Sequence, residues 1–204
     1  MRVFVLDYGV GNLFSLRAAL EREGVEPIVS AELPSKGDFA ALILPGVGHF
    51  TPVAERLGRI RDRLRQWIAH ERPILGICLG MQVLFEESEE GVGCGLGFFR
   101  GRVVRLPDSV KVPHIGWNAL RVRRWHPLLE GIEDGAWVYF VHSYHPHPVD
   151  PTIVLAEADY GRTFPAIVAR GMLFGAQFHP EKSGTVGRRV LQNFLTIARE
   201  RWRS

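Results

Sequence analysis

The sequence predicts an α/β protein with a mostly parallel sheet, helices on both faces, and antiparallel additions in the C-terminal half. Three observations predict it. Over roughly the first 90 residues short apolar runs alternate with amphipathic stretches, the pattern of strand-helix repeats feeding a parallel sheet. From Gly91 to Gln177 the character changes to strands punctuated by glycine and proline. The chain then closes on a helical pattern from about Thr185 to Arg201.

Arg2 to Leu6 is a β-branched apolar run, a strand that ends at a glycine-containing turn. Asn12 to Glu23 follows as a helix, with apolar residues at 13, 16, 19 and 20 on one side. Val25 to Val29 and Phe39 to Leu44 are two more strands, the second stopped by Pro45-Gly46. Positions 53, 57, 60, 64, 67 and 68 form one apolar stripe, which predicts a single helix over 51–70. Pro73 to Ile77 is a short buried strand, and Leu79 to Glu87 is expected to be helical. Beyond it, the strands expected at Phe98 to Arg105, Ala119 to Val122, Trp137 to Val141, Ile153 to Ala158, Ala166 to Ala169 and Leu173 to Gln177 are antiparallel additions to the same sheet.

No repeat, low-complexity tract or linker interrupts the 204 residues, so one domain over 1–204 is expected. With 25 Lys and Arg against 22 Asp and Glu, the formal charge is only +3. The basic runs Arg56 to Arg65 and Arg199 to Arg203 are interrupted by apolar residues at helical spacing, so they read as solvated helix faces and not as a nucleic-acid footprint. The N-terminal apolar run reaches an acid at Asp7, too soon for a signal-peptide core, and no stretch could span a membrane. A cytoplasmic protein is expected. Its two cysteines, Cys78 and Cys94, fit free thiols in a reducing compartment, with Cys94 expected as a small buried apolar residue.

The most informative stretch is Pro73-Ile74-Leu75-Gly76-Ile77-Cys78-Leu79-Gly80-Met81-Gln82. A cysteine stands where a buried strand must reverse into a helix, with glycine two residues before and two after. This is the Gly-x-nucleophile-x-Gly elbow, a strained turn in which the glycines remove side chains that would collide. The helix that follows points its amide groups at the cysteine, which favours the thiolate and supplies one donor for an oxyanion. A thiol nucleophile needs a base, and the base an orienting group. Gln177-Phe178-His179-Pro180-Glu181 offers both: if the segment is extended, residues 179 and 181 share a face, and the carboxylate can hold one ring nitrogen while the other faces Cys78.

Together with Pro45-Gly46-Val47-Gly48 upstream, these two segments resemble class I glutamine amidotransferases, and the resemblance covers essentially the whole chain. It implies that Cys78 attacks the glutamine side-chain amide, that His179 passes its proton to the leaving ammonia, and that Glu181 orients the histidine. By the same resemblance, the Gly46-Val47-Gly48 turn and the Leu79 amide form the oxyanion site. Gln82, Glu90, His142, Ser143 and Tyr144 then contact bound glutamine, and no cofactor is called for.

Three further segments narrow the resemblance to the glutaminase subunits of imidazole glycerol phosphate synthases. They are Asp7-Tyr8-Gly9-Val10-Gly11-Asn12, Pro113-His114-Ile115-Gly116-Trp117-Asn118 and Tyr139-Phe140-Val141-His142-Ser143-Tyr144. Such a subunit forms a heterodimer with a cyclase subunit and supplies it with ammonia, and the resemblance makes Asn12, Trp117, Tyr139 and Lys182 candidates for the facing surface. The Gly9-x-Gly11 loop lacks the third glycine of a dinucleotide site, since Phe14 stands there. In the cluster His142-Ser143-Tyr144-His145-Pro146-His147, strand alternation would send 145 to the opposite face from 142, so no metal site is expected. The rival readings are a glutaminase subunit of another synthase, a stand-alone cysteine hydrolase, and a non-catalytic scaffold on the same flavodoxin-like sheet.

Overall fold

The structure is a computed structural model that describes residues 1–9, 13–34 and 38–203. The chain begins β1 (Arg2–Leu6), α1 (Leu13–Arg22), β2 (Glu26–Ser30), β3 (Ala41–Leu44), α2 (Phe50–Gly58), α3 (Arg61–Ala69), β4 (Ile74–Ile77) and the single turn α4 (Leu79–Gln82). It continues through β5 (Glu87–Ser88), β6 (Gly101–Arg105), β7 (His114–Ala119), β8 (Arg121–Val122), β9 (Trp137–His142) and β10 (Tyr144–Pro148). The last elements are β11 (Val154–Asp159), β12 (Thr163–Arg170), β13 (Leu173–Ala176) and α5 (Gly184–Arg203).

An eight-stranded sheet in the order β2-β1-β3-β4-β13-β12-β11-β8 carries the fold. Strand alternation divides its core in two. Val3 and Val5 of β1 join Leu16 and Leu20 of α1 and Val190, Leu191 and Phe194 of α5 on one face. Phe4 and Leu6 join Phe50, Val53 and Leu57 of α2 and Leu64 and Trp67 of α3 on the other. Helices therefore do cover both faces, as the sequence predicts.

The strand β13 corrects one expectation. It pairs antiparallel with β12, but it runs parallel to β4, with Gly175 beside Gly76 and Ala176 beside Ile77. It therefore completes the parallel half instead of extending the antiparallel one. A second correction concerns the sheet itself. Among the described residues only β8, β11 and β12 add to it as antiparallel strands, whereas β6 belongs to a small sheet ordered β10-β6-β5 and β9 to a ribbon with β7. Periodicity cannot announce β10, because Tyr144-His145-Pro146-His147-Pro148 carries two prolines; among the described residues it pairs with β6 alone, and an edge strand tolerates a missing N–H.

Two predicted helices are also shorter than their apolar patterns. The expected helix over 51–70 breaks after Gly58, where Ile60 leaves helical geometry at φ −113°, although Leu57 and Leu64 stay fully buried on one side. Glycine's poor helix propensity opens the break without disturbing the stripe. The expected helix over 79–87 stops after one turn, because Leu84 and Phe85 plunge into the core and the chain pairs β5 with β6. Cys94, expected to be buried, is exposed, in a loop bridged to Glu87. Among the described residues no helix is long and apolar enough to cross a membrane.

Candidate active site

Cys78 follows β4 directly and adopts φ 53°, ψ −110°, a region costly for any side chain but glycine. What holds it there is packing. A Cβ on Gly76 would lie 2.5 Å from the Gly80 carbonyl oxygen, and one on Gly80 only 1.7 Å from that of Leu44, so neither position admits a side chain. The Cys78 amide donates to the Ala176 carbonyl at 2.7 Å, which fastens the elbow to β13.

His179 stands three residues past the end of that same strand. Its backbone is fixed twice, by its amide donating to the Tyr139 carbonyl at 3.0 Å and by the Ser183 hydroxyl donating to its own carbonyl at 2.7 Å. The segment is not extended as expected: Pro180–Lys182 forms a 3-10 turn. That turn still brings Glu181 to the ring, with Nδ1 and Oε1 2.9 Å apart and both side chains only 5–6% exposed. Nε2 makes no ordinary hydrogen bond, so it is the nitrogen left for Cys78. Burial alone would lower the His179 pKa, but the Cys78 sulfur and the Glu181 carboxylate outweigh it and push it up to about 10.

The oxyanion candidates face each other in an unproductive arrangement. The Leu79 amide donates to the Gly46 carbonyl at 3.3 Å, so the carbonyl of the turn occupies the donor that a tetrahedral intermediate would need. Gly46 is buried, Val47 is 39% exposed, and Gly48 sits at φ +117°, a conformation that favours glycine. Beside Gly46 lies the Tyr8 hydroxyl, buried and without a hydrogen-bond partner among the described residues, 3.0 Å from where a Cβ would stand. Burial, with a smaller contribution from Cys78, drives the Tyr8 pKa upward, so it stays a neutral phenol.

The other predicted residues divide. Gln82 is buried; its amide nitrogen donates to the Tyr144 carbonyl at 2.8 Å and to Gln177 Oε1 at 3.2 Å. Glu90 accepts the Phe50 amide at 2.8 Å and so caps the start of α2 just beyond the turn. Ser143 and Tyr144 are half-buried, and the Ser143 carbonyl receives the Leu106 amide. Lys182 is exposed and, with Gly46, Val47 and His179, lines a small cleft. Trp117 is 51% exposed and crosses Tyr139 edge to face at 5.9 Å, beside exposed Ile115 and Trp137 on the β7–β9 ribbon. Asn12 lies outside the described residues.

The histidine cluster departs from its expected geometry. Because β9 ends at His142 and β10 begins at Tyr144, Ser143 interrupts the alternation, and the rings of His142 and His145 both reach Phe164, at 4.9 and 5.6 Å. The His142 ring shares a hydrogen bond with His114 at 3.2 Å and holds the Tyr144 carbonyl at 2.9 Å. Burial lowers the pKa of His114 to about 4; it lowers His142 to about 3 and His145 to about 4 despite backbone hydrogen bonds, with neighbouring positive groups adding to the shift in both. These three neutral imidazoles confer stability that is complete above pH about 6.5 and lost as pH falls through about 4, since the unfolded chain takes up protons that the fold refuses. The His179 pair has the opposite sign: its contribution is complete below pH about 6.5 and fades as pH rises toward about 10. We expect thermal melts to show Tm falling from pH 7 to pH 5, with a shallower fall in His114→Gln. A parent Tm constant over that window would contradict this account.

Sequence reasoning missed Gln177 and Ser183. Gln177 is fully buried and donates to the Cys78 sulfur at 3.6 Å, and Ser183 ties β9 to the His179 turn through the Tyr139 amide at 2.9 Å. Both lie within or beside the segment that carries His179, and that adjacency was the available signal.

A family model for class I glutamine amidotransferases matches residues 4–198. The chain belongs to that family. Among relatives of this amidotransferase, the chain is 49% identical to imidazole glycerol phosphate synthase subunit HisH of Geobacillus kaustophilus (strain HTA426), covering 95% of this chain and 96% of that one. It is 48% identical to the subunit of the same name from Halobacterium salinarum (strain ATCC 700922 / JCM 11081 / NRC-1), over 95% and 92% of the two chains. It is 46% identical to that from Bacillus subtilis (strain 168), over 96% of each. In fold, the amidotransferase is similar to PurLQS from Thermotoga maritima, at TM-score 0.77 and 22% identity over 96% of this chain and 97% of that one. It is also similar to a glutamine amidotransferase from the same organism, at TM-score 0.67 and 18% identity over 98% and 83%.

Proposed function

We propose that this amidotransferase is the glutaminase subunit of an imidazole glycerol phosphate synthase, hydrolysing glutamine at Cys78 and passing the ammonia to a cyclase subunit. The observation that carries the reading is the site itself. A strained cysteine just past β4 faces a histidine–carboxylate pair held just past the adjoining parallel strand, in a chain 46–49% identical to HisH subunits along almost its whole length.

In this mechanism the Cys78 S–H bond breaks as its proton passes to His179 Nε2, and the sulfur's electron pair forms a bond to the glutamine amide carbon. The carbonyl electrons move onto oxygen, which needs backbone donors from Leu79 and the Gly46-Val47-Gly48 turn. Collapse of the intermediate expels ammonia, which takes the proton from His179, and leaves a glutamyl thioester. Water then gives a proton to the same histidine as its oxygen bonds to the thioester carbon, the carbon–sulfur bond breaks, the sulfur takes that proton back, and glutamate leaves. Glu181 keeps Nδ1 protonated and the ring aimed throughout. Gln82, Glu90, Ser143 and Tyr144 surround the substrate amino acid in this reading, with His142 acting through its backbone because its ring is already committed.

Ammonia is useful only where it is consumed, so the subunit should act in an assembly. The exposed Trp117, with Tyr139 and Lys182 near the cleft, supports a docking face on that side, and aromatic residues of this kind commonly anchor interfaces. Asn12 is assigned to the same face by resemblance alone.

The decisive experiment measures glutamine hydrolysis by the isolated chain, by the chain with its cyclase partner, and by the complex with the cyclase's ribonucleotide ligand. We expect slow turnover alone and strong stimulation in the loaded complex. Equal rates in all three would overturn the subunit reading in favour of a stand-alone cysteine hydrolase.

A further inference from the structure

We infer that Gln177 is a further catalytic residue, whose side-chain amide donates a hydrogen bond to the Cys78 sulfur and supports it as a thiolate, and that Gln82 holds that amide in place. The inference rests on the proposed function, since it assigns Gln177 a part in the same thiol chemistry.

Three hydrogen bonds in series fix the direction of every donor. The chain starts at the Tyr144 carbonyl, which can only accept, so the Gln82 side chain must turn its nitrogen toward it at 2.8 Å. That same nitrogen lies 3.2 Å from Gln177, which must therefore present its oxygen. With its oxygen committed, Gln177 has its nitrogen facing the Cys78 sulfur at 3.6 Å. A backbone group thus sets the polarity of a relay that ends on the reacting atom. Gln177 is 0% exposed and Gln82 4%, so water does not compete for these groups.

The sulfur has a second neighbour of opposite effect. As a thiol, Cys78 donates to the Val141 carbonyl at 3.6 Å. Once the proton moves to His179 and the electron pair stays on sulfur, that carbonyl dipole opposes the new negative charge. The Gln177 N–H then favours the charged form by strengthening its bond to an anion. Other groups in the sulfur's field are the neutral Tyr8, which has no hydrogen-bond partner among the described residues, and His179, whose ring is held by Glu181 at Nδ1 and takes the sulfur's proton at Nε2. Gln177 is the uncharged donor that remains on the sulfur when the carbon–sulfur bond begins to form.

The test uses Gln177→Met, of similar volume but without a donor, and Gln82→Met, which leaves Gln177 in place but free to turn. The alkylation rate of Cys78 by iodoacetamide at pH 7.5 is followed by peptide mapping, beside kcat and KM for glutamine in the partner-bound complex. We expect alkylation and kcat to fall about tenfold in Gln177→Met, with KM within twofold of the parent, and alkylation to fall severalfold in Gln82→Met, the size usual for one hydrogen bond to a charged group. A merely structural role predicts the reverse sign, because a loosened core exposes the sulfur and speeds alkylation. Faster or unchanged alkylation in both variants overturns the assignment of Gln177. Alkylation of Cys78 that leaves glutamine hydrolysis intact overturns the proposed function instead.

Discussion

Cys78→Ala should reduce glutamine hydrolysis by about ten-thousandfold or more, while a synthase assembled with that variant still forms product from ammonium salt. The first half follows from the elbow, where the thiol is the group that forms the covalent bond and nothing else nearby can replace it. The second follows from the proposed division of labour, in which cyclisation belongs to the partner and this chain only delivers ammonia. His179→Ala should be nearly as damaging. Glu181→Ala should retain more activity, since Glu181 orients a ring whose backbone the Tyr139 carbonyl and the Ser183 hydroxyl still hold in place. Paired assays with glutamine and with ammonium check all three. Normal glutamine hydrolysis in Cys78→Ala would sink the nucleophile assignment, and a properly assembled complex that ammonium fails to rescue would sink the division of labour.

Replacing Gly46 or Gly48 by Val should lower partner-stimulated turnover by about 100- to 1000-fold, the usual effect of losing one oxyanion donor. In the structure the Gly46 carbonyl sits on the Leu79 amide, so the donor is blocked until that peptide turns over. A Cβ at Gly46 would press on the Tyr8 hydroxyl at 3.0 Å and on Leu79 at 3.3 Å, in the space through which the peptide must swing. At Gly48, φ +117° is open to glycine and strained for valine, so Gly48→Val would distort the turn that carries the peptide instead of leaving it free to swing between its two arrangements. Partner binding would then shift the balance between two arrangements of one peptide, which suppresses wasteful release of ammonia while the cyclase is empty. Steady-state rates with and without the loaded partner measure it. Stimulation equal to the parent's, with normal glutamine binding, would exclude this turn as the switch.

How much of this was legible in the sequence depends on how local the cause is. The elbow was fully legible, because a cysteine between Gly76 and Gly80 at the end of an apolar run admits few conformations, and those glycines prove to be forced by carbonyl oxygens at contact distance. The alternation of strands and helices was legible for the same reason. The direction of β13 was not: Leu173–Ala176 is apolar throughout, and nothing in four buried residues says which neighbour runs parallel. Nor was the His142 ring's environment, which depends on Ser143 breaking a strand and on Phe164 arriving from β12. Gln177 was hidden by its company, since next to His179 and Glu181 a neutral amide draws no attention until its hydrogen bonds are known.

The register of β4 against β13 has a consequence for the chain's history. Gln177 is 99 residues beyond Cys78, yet the elbow and the turn that carries the base leave the ends of two adjoining strands, clamped by the bond from the Cys78 amide to the Ala176 carbonyl. Stretches between them that touch neither turn can therefore be lengthened, trimmed or rebuilt without moving the reacting groups relative to each other, whereas the Tyr139 backbone, which holds His179, must stay. The small sheet around β6 and the β7–β9 ribbon lie wholly inside that interval. A lineage could thus change the exposed side chains of that ribbon, such as Ile115, Trp117 and Trp137, while its backbone at Tyr139 stays in place and the chemistry is inherited unchanged.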